Sequence, residues 1–159
     1  MPRIMIADDR ESMRSALRSL LVLRPGWVVC GEAENAKEAI TRATELRPDL
    51  IVLDYKLQTS DGIAAADGIL RVMPTVPIVM FTLYKTDELE LEANRIGIRC
   101  VVGKEDGIES LLCAIDSELN SGNSKGRSAR DQILLRCFRF CPAYHLKRLG
   151  TGYSVLHQT

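Results

Sequence analysis

Asp8 and Asp9 stand side by side after the apolar run Ile4-Met-Ile-Ala7, and Asp54 stands directly after Leu50-Ile-Val-Leu53. Thr82 closes a third such run, Ile78-Val-Met-Phe81, and Lys104 follows a fourth that begins at Cys100. If the runs are strands of one parallel sheet, these five polar residues converge on the rim at the carboxyl ends, where open α/β sheets bind their ligands. Three carboxylates held together repel one another, which raises at least one pKa unless a cation sits among them. A hard divalent ion that takes few protein oxygens and keeps several waters relieves the repulsion, and Mg²⁺ is the ion of that kind. A threonine hydroxyl and a mobile lysine ammonium suit the oxygens of a tetrahedral anion. Carboxylate nucleophile, Mg²⁺ and two phosphate-oxygen donors together make an apparatus for in-line phosphoryl transfer onto an aspartate. Taken singly, each residue has a plainer reading. Asp8-Asp9 can cap a helix, Asp54 can end a strand in a turn, Thr82 can be a sheet-edge hydroxyl and Lys104 a solvated charge. Their joint placement at four strand ends is what points to chemistry.

The elements that must hold these residues are legible as an alternation of short apolar runs with longer amphipathic ones, the pattern of repeated βα units in an α/β fold. Strands are expected at 4–7, 27–33, 50–53, 78–81 and 100–102, mostly the short apolar or β-branched runs that a sheet buried on both faces requires. Helical spacing recurs in Met13, Leu17, Leu20 and Leu21, in Ala36, Ala39, Ile40 and Ala43, and in Ala66, Ile69, Leu70 and Met73. Arg24-Pro25-Gly26, Arg47-Pro48, Met73-Pro74 and Ile96-Gly97 mark where the first four helices stop. A fifth helix is expected over 108–119, followed by a Gly/Ser/Asn linker at 120–126.

The formal net charge is zero, but it is not evenly spread. Up to Leu119 there are 14 Lys and Arg against 20 Asp and Glu; beyond it there are 7 against 1. An acidic body, 1–119, thus carries a basic tail, 127–159, too short to bury a core of its own without a metal or partner. Cys137, Cys141, His145 and His157 lie in that tail, in a spacing uncommon for zinc. No apolar run approaches the ~18 residues of a membrane span, and the first residues lack a signal-peptide core, so a cytoplasmic protein without membrane insertion is expected. Five cysteines in no regular framework argue against disulfides.

Four motifs, Ile4-Met-Ile-Ala-Asp-Asp9, Pro48-Asp-Leu-Ile-Val-Leu-Asp54, Val79-Met-Phe-Thr82 and Val101-Val-Gly-Lys104, fall in order at strand ends, and with them residues 1–119 resemble the response-regulator receiver domain. Gly31-Glu-Ala and Gly62, eight residues after Asp54, add to the likeness, and Phe81-Thr-Leu is similar in texture to receivers of the NarL group. The resemblance implies a five-stranded doubly wound parallel sheet, (βα)5 and flavodoxin-like, with strand order 2-1-3-4-5. It implies that Asp54 accepts a phosphoryl group from the phosphohistidine of a sensor histidine kinase or phosphotransfer protein. Asp9, Asp54, the backbone carbonyl of Lys56, and Asp8 partly through water would bind Mg²⁺; Thr82 and Lys104 would ligate the phosphoryl oxygens. Such a protein is a two-component signalling switch for a downstream protein partner, not a metabolic enzyme.

The chain departs from the family pattern in several places. Val101 stands where many receivers carry an aromatic switch residue, Glu105 replaces the proline after Lys104, and Leu57-Gln58 replaces a Met-Pro pair. Leu83 and Tyr84, with the long Lys56, are expected to narrow the entrance to the site. These departures leave one rival reading, a pseudo-receiver that binds proteins without being phosphorylated. A nucleotide or flavin binder is disfavoured because Asp8-Asp9-Arg10-Glu11 is no glycine-rich phosphate cradle. An aspartyl phosphatase is disfavoured because Asp54-Tyr55-Lys56 lacks a second acid. The tail lacks the length and periodicity of a helix-turn-helix output domain, so no specific DNA binding is expected.

Overall fold

The computed structural model describes residues 1–58 and 60–121, together with the backbone of two short strands at 147–149 and 152–154. Five parallel strands, β1 (Arg3–Ala7), β2 (Val28–Ala33), β3 (Leu50–Leu53), β4 (Ile78–Thr82) and β5 (Cys100–Gly103), are joined in the order β2-β1-β3-β4-β5. Each is followed by a helix: α1 (Glu11–Leu21), α2 (Ala36–Leu46), α3 (Gly62–Val72), α4 (Asp87–Ile96) and α5 (Ile108–Ser121). This is the doubly wound α/β fold with the strand order implied by the resemblance.

Period-two alternation divides the sheet's side chains between two cores. Ile4, Ile6, Leu50, Val52, Val79 and Phe81 pack with Leu17 and Leu21 of α1 and Leu111 and Ile115 of α5. Met5, Ala7, Ile51, Leu53, Ile78 and Met80 pack on the other face with the small residues of α2 and α3, Ala39, Ala43, Ala65 and Ala66, and with α4. Burial on both faces explains why the central strands read as continuous apolar runs. The register aligns strand ends as well as strand cores, because Ala7 pairs with Leu53 and Thr82 with Gly103.

Three helices begin on side-chain caps. Asn35 accepts the Glu38 N–H, Asp61 the Ala64 N–H and Thr86 the Leu89 N–H. Differences from the sequence reading lie at element ends. Trp27 stays outside β2, its amide donating to the Arg24 carbonyl in the turn after α1. Met73 follows α3 as its C-cap, and α5 runs two residues past Leu119, into the expected linker. The remainder of that linker and most of the basic tail, including Cys137, Cys141, His145 and His157, lie outside the described residues. Within the tail, β6 (Lys147–Leu149) pairs antiparallel with β7 (Gly152–Ser154). Among the described residues no helix is long and apolar enough to cross a membrane.

Candidate functional site

Backbone hydrogen bonds carry the sheet one residue past β1 and β3. The Asp8 amide donates to the Ala33 carbonyl at 3.1 Å and the Asp54 amide to the Ala7 carbonyl at 2.8 Å. Both acids are therefore fixed at the rim, and both are buried, as is Thr82 at the end of β4. Lys104 opens the single 3-10 turn Lys104–Asp106 that follows β5. Its side chain, only 4% exposed, runs back over the rim: Nζ lies 2.6 Å from Asp8 Oδ2 and 2.5 Å from Asp54 Oδ2. The same ammonium lies 5.7 Å from the centroid of the Phe81 ring.

Three of the five strand-end residues singled out in the sequence, Asp8, Asp54 and Lys104, are accordingly tied together, and Thr82 is buried at the neighbouring strand end. The remaining one, Asp9, is half-buried beside them; one carboxylate oxygen from each of Asp8, Asp9 and Asp54 lies within 4.8 Å of the others. Hard oxygen donors at that spacing fit a divalent cation that keeps most of its waters. Burial pushes the Asp8 carboxyl above its ordinary pKa, an effect that Lys104 and the Arg10 N–H oppose and the nearby Asp54 charge reinforces. Asp8 is not the N-cap of α1. That position belongs to Arg10, which makes no side-chain cap bond and instead donates its amide to Asp8 Oδ1 at 2.9 Å.

Thr82 Oγ1 accepts the Tyr84 N–H at 3.1 Å. The bond uses one lone pair and leaves the hydroxyl hydrogen for another acceptor. Lys56, two residues past Asp54, forms an isolated bridge with Asp61, and its amide faces Asp54 Oδ1 at 3.4 Å. Its ammonium lies 5.8 Å from the Tyr84 ring centroid, and the Tyr84 and Tyr55 rings are 6.2 Å apart. Tyr84 thus leans toward the loop after β3, and it and Leu83 are both about half-exposed. Val101 packs half-buried against the α2–α3–α4 core.

Gly62 sets the floor of the Asp54 loop. Its amide donates to the Tyr55 carbonyl at 2.5 Å, and a Cβ there would lie 2.3 Å from the Asp54 carbonyl oxygen and 2.8 Å from Tyr55 Cα. Only a residue without a side chain permits that approach.

Sequence reasoning missed a second set of residues. Arg14 donates from Nη1 to the Asp8 carbonyl at 2.8 Å and from Nε to Glu32 Oε2 at 3.2 Å, while Arg18 pairs with the other Glu32 oxygen. Arg10, Arg14 and Arg18 recur every four residues, a stripe on one side of α1 that was readable beside Asp8-Asp9. Lys85 and Asp106, which join two loops of the rim, carried a fainter signal: Asp106 lies in Gly103-Lys-Glu-Asp-Gly107, framed by glycines.

Residues 4–116 match the family model described as the response regulator receiver domain. The chain is 32% identical over 115 residues to the transcriptional regulatory protein LnrK of Bacillus subtilis strain 168, covering 72% of this chain and 52% of that protein. It is 36% identical over 121 residues to a protein-glutamate methylesterase/protein-glutamine glutaminase of Methanococcoides burtonii, covering 75% of this chain and 34% of that one. The chain therefore spans about a third to a half of the length of these curated relatives. In three dimensions it is similar to a two-component response regulator of the LuxR family from Aurantimonas sp. SI85-9A1, with TM-score 0.74 and 30% identity over 84% of this chain and 96% of that one. It is also similar to the response regulator domain of Thermotoga maritima CheB, with TM-score 0.71 and 27% identity over 76% and 97% of the two chains.

Proposed function

This chain belongs to the response regulator receiver family of two-component systems, and from that premise we propose that it is a phosphoacceptor switch whose acceptor is Asp54. The observation that carries the proposal is the bridge of Lys104 between the buried Asp8 and Asp54. It holds two acids and a mobile cation together at the C-terminal rim, where an incoming phosphoryl group meets a nucleophile and a donor at once.

In the proposed reaction an Asp54 carboxylate oxygen attacks the phosphorus of a phosphohistidine on a sensor kinase or phosphotransfer protein. An O–P bond forms, the N–P bond breaks, and the imidazole leaves with the electron pair and takes up a proton. Lys104 exchanges the Asp54 oxygen for an oxygen of the transferred group, and the Thr82 hydroxyl, already oriented by the Tyr84 amide, donates to another. Asp8, Asp9, Asp54 and the Lys56 carbonyl would hold Mg²⁺, which when bound offsets the negative charge of the phosphoryl oxygens. Arg14 holds the Asp8 backbone in place.

Water hydrolyses the acyl phosphate and returns Asp54 to its free form, so the chain assists its own phosphorylation and dephosphorylation and acts as a switch. Thr82 ends β4 and Lys104 opens the turn after β5, and their new ligands would move the loops that follow to change the surface offered to a downstream protein. We assign the acceptor to residues 1–119 and place the chain in the cytoplasm with its kinase. Incubation with acetyl phosphate and Mg²⁺ tests the reading. The intact protein should gain one phosphoryl mass and Asp54→Asn none; equal labelling of both would refute the assignment.

A further inference from the structure

No proline fixes the turn that carries Lys104, since Glu105 follows it. Asp106 folds that turn instead. Its Oδ2 accepts the Gly103 N–H at 2.9 Å, closing the carboxylate back over the residue that precedes the lysine. Gly103 makes room for this, because a Cβ there would lie 3.0 Å from Oδ2 and 3.3 Å from Cγ of Asp106. The same Oδ2 accepts Lys85 Nζ at 3.1 Å. Lys85 is three residues past Thr82, in the loop between β4 and α4, and its ammonium also lies 3.5 Å from Glu90 of α4. One carboxylate oxygen therefore joins the backbone just before Lys104 to the loop just after Thr82.

We propose that Lys85 and Asp106 are positioning residues for phosphoryl transfer, a clasp that fixes the spacing between the Thr82 hydroxyl and the Lys104 ammonium. The inference rests on the acceptor reading of Asp54. Neither side chain reaches the acceptor: Lys104 bonds Asp8 and Asp54, whereas Lys85 and Asp106 are 33% and 42% exposed outside them. An ion pair so exposed adds little to global stability. Its leverage is geometric, because a misplacement of about 1 Å in a reacting array can slow a step about a hundredfold.

Three variants in the full chain separate the bonds. Lys85→Met removes the ammonium, Asp106→Asn removes the charge but keeps an acceptor for the Gly103 N–H, and Asp106→Ala removes both. At saturating Mg²⁺, labelling by acetyl phosphate should slow about tenfold in Asp106→Ala and about threefold in each of the others. The double variant Lys85→Met/Asp106→Ala should be no slower than Asp106→Ala, because both side chains act through one oxygen. Mg²⁺ affinity should stay unchanged, since the proposed ligands lie on other loops. A full rate in Asp106→Ala, or losses that multiply in the double variant, would overturn the clasp.

A readout without phosphate keeps the two readings apart. Gly103 amide exchange should quicken in Asp106→Ala, and the amide resonances of 82–85 should move in Asp106→Asn. If the wild type takes no label, the acceptor reading fails, and the clasp as a link between loops is judged on these amides alone. Unchanged amides in both variants would refute it.

Discussion

On the β1 and β3 side of the rim, the acids are set by the sheet itself. The amides of Asp8 and Asp54 continue the backbone ladder, Arg14 grips the Asp8 carbonyl, and Gly62 presses against the Asp54 carbonyl. On the β4 and β5 side, Thr82 still lies in the sheet, paired with Gly103, but Lys104 and the loops beyond both strands depend largely on side-chain contacts. Thr82 accepts one loop amide, Lys104 reaches across the rim to both acids, and the loops that follow β4 and β5 meet at the partly exposed pair Lys85 and Asp106. Like charges must be held together against their own repulsion, so the acids need a stiff support. Donors that follow a tetrahedral group must change partners, so they need a support that can be exchanged. A receiver switch needs both properties, and here they fall on opposite sides of the boundary between β3 and β4.

Disruption on the stiff side should have the larger consequences. Asp9→Asn should weaken Mg²⁺ binding roughly a hundredfold, or ~2.7 kcal/mol, by calorimetric titration; wild-type affinity would remove Asp9 from the ligand set. Gly62→Ala forces a methyl into the Asp54 loop and should lower unfolding free energy by about 1–3 kcal/mol in a denaturant titration. A variant as stable as the wild type would show that the loop yields and the support is not stiff.

On the exchangeable side the expected effects shrink. Lys104→Ala should slow labelling about tenfold, ~1.4 kcal/mol of barrier, without abolishing it, because Asp54 and the metal ligands remain. Complete loss of labelling would make Lys104 part of the stiff frame. Access should matter least. Tyr84 leans toward Lys56 and Tyr55 over the loop after Asp54, so Tyr84→Ala should admit small phosphodonors about threefold faster, while Leu83→Ala should change the rate less. A larger gain from Leu83→Ala in parallel acetyl phosphate assays would return the entrance to that side chain.

The sequence carried the sheet because runs such as 50–53 and 78–81 are buried on both faces and contain almost nothing polar until the strand ends. It carried the strand-end residues for the same reason: Asp8, Asp54 and Thr82 are the first polar groups after those runs. It did not carry their partners. Lys104 meets Asp8 across 96 positions, and which carboxylate a long side chain selects depends on its rotamer and on the turn that launches it. Nor was the turn itself legible, since the replacement of a proline by Glu105 does not say that Asp106 folds it. Element ends moved for local reasons, as at Trp27, where a turn bond to Arg24 and the guanidinium 5.9 Å from the indole hold it outside β2. The stripe of Arg10, Arg14 and Arg18 was visible but had no obvious target until the Asp8 carbonyl was placed beneath it.

Borohydride reduction locates directly a phosphoryl group carried by the Asp54 side chain. An aspartyl phosphate is an acyl phosphate, which borohydride reduces to the alcohol while leaving a free carboxylate intact. After treatment with acetyl phosphate and Mg²⁺, reduction and proteolysis, the peptide containing residue 54 should carry homoserine at that position, and the peptide containing Asp8 and Asp9 should be unchanged. Homoserine at another acid, or at none, would contradict the account and leave the fold as a protein-binding module of the pseudo-receiver kind.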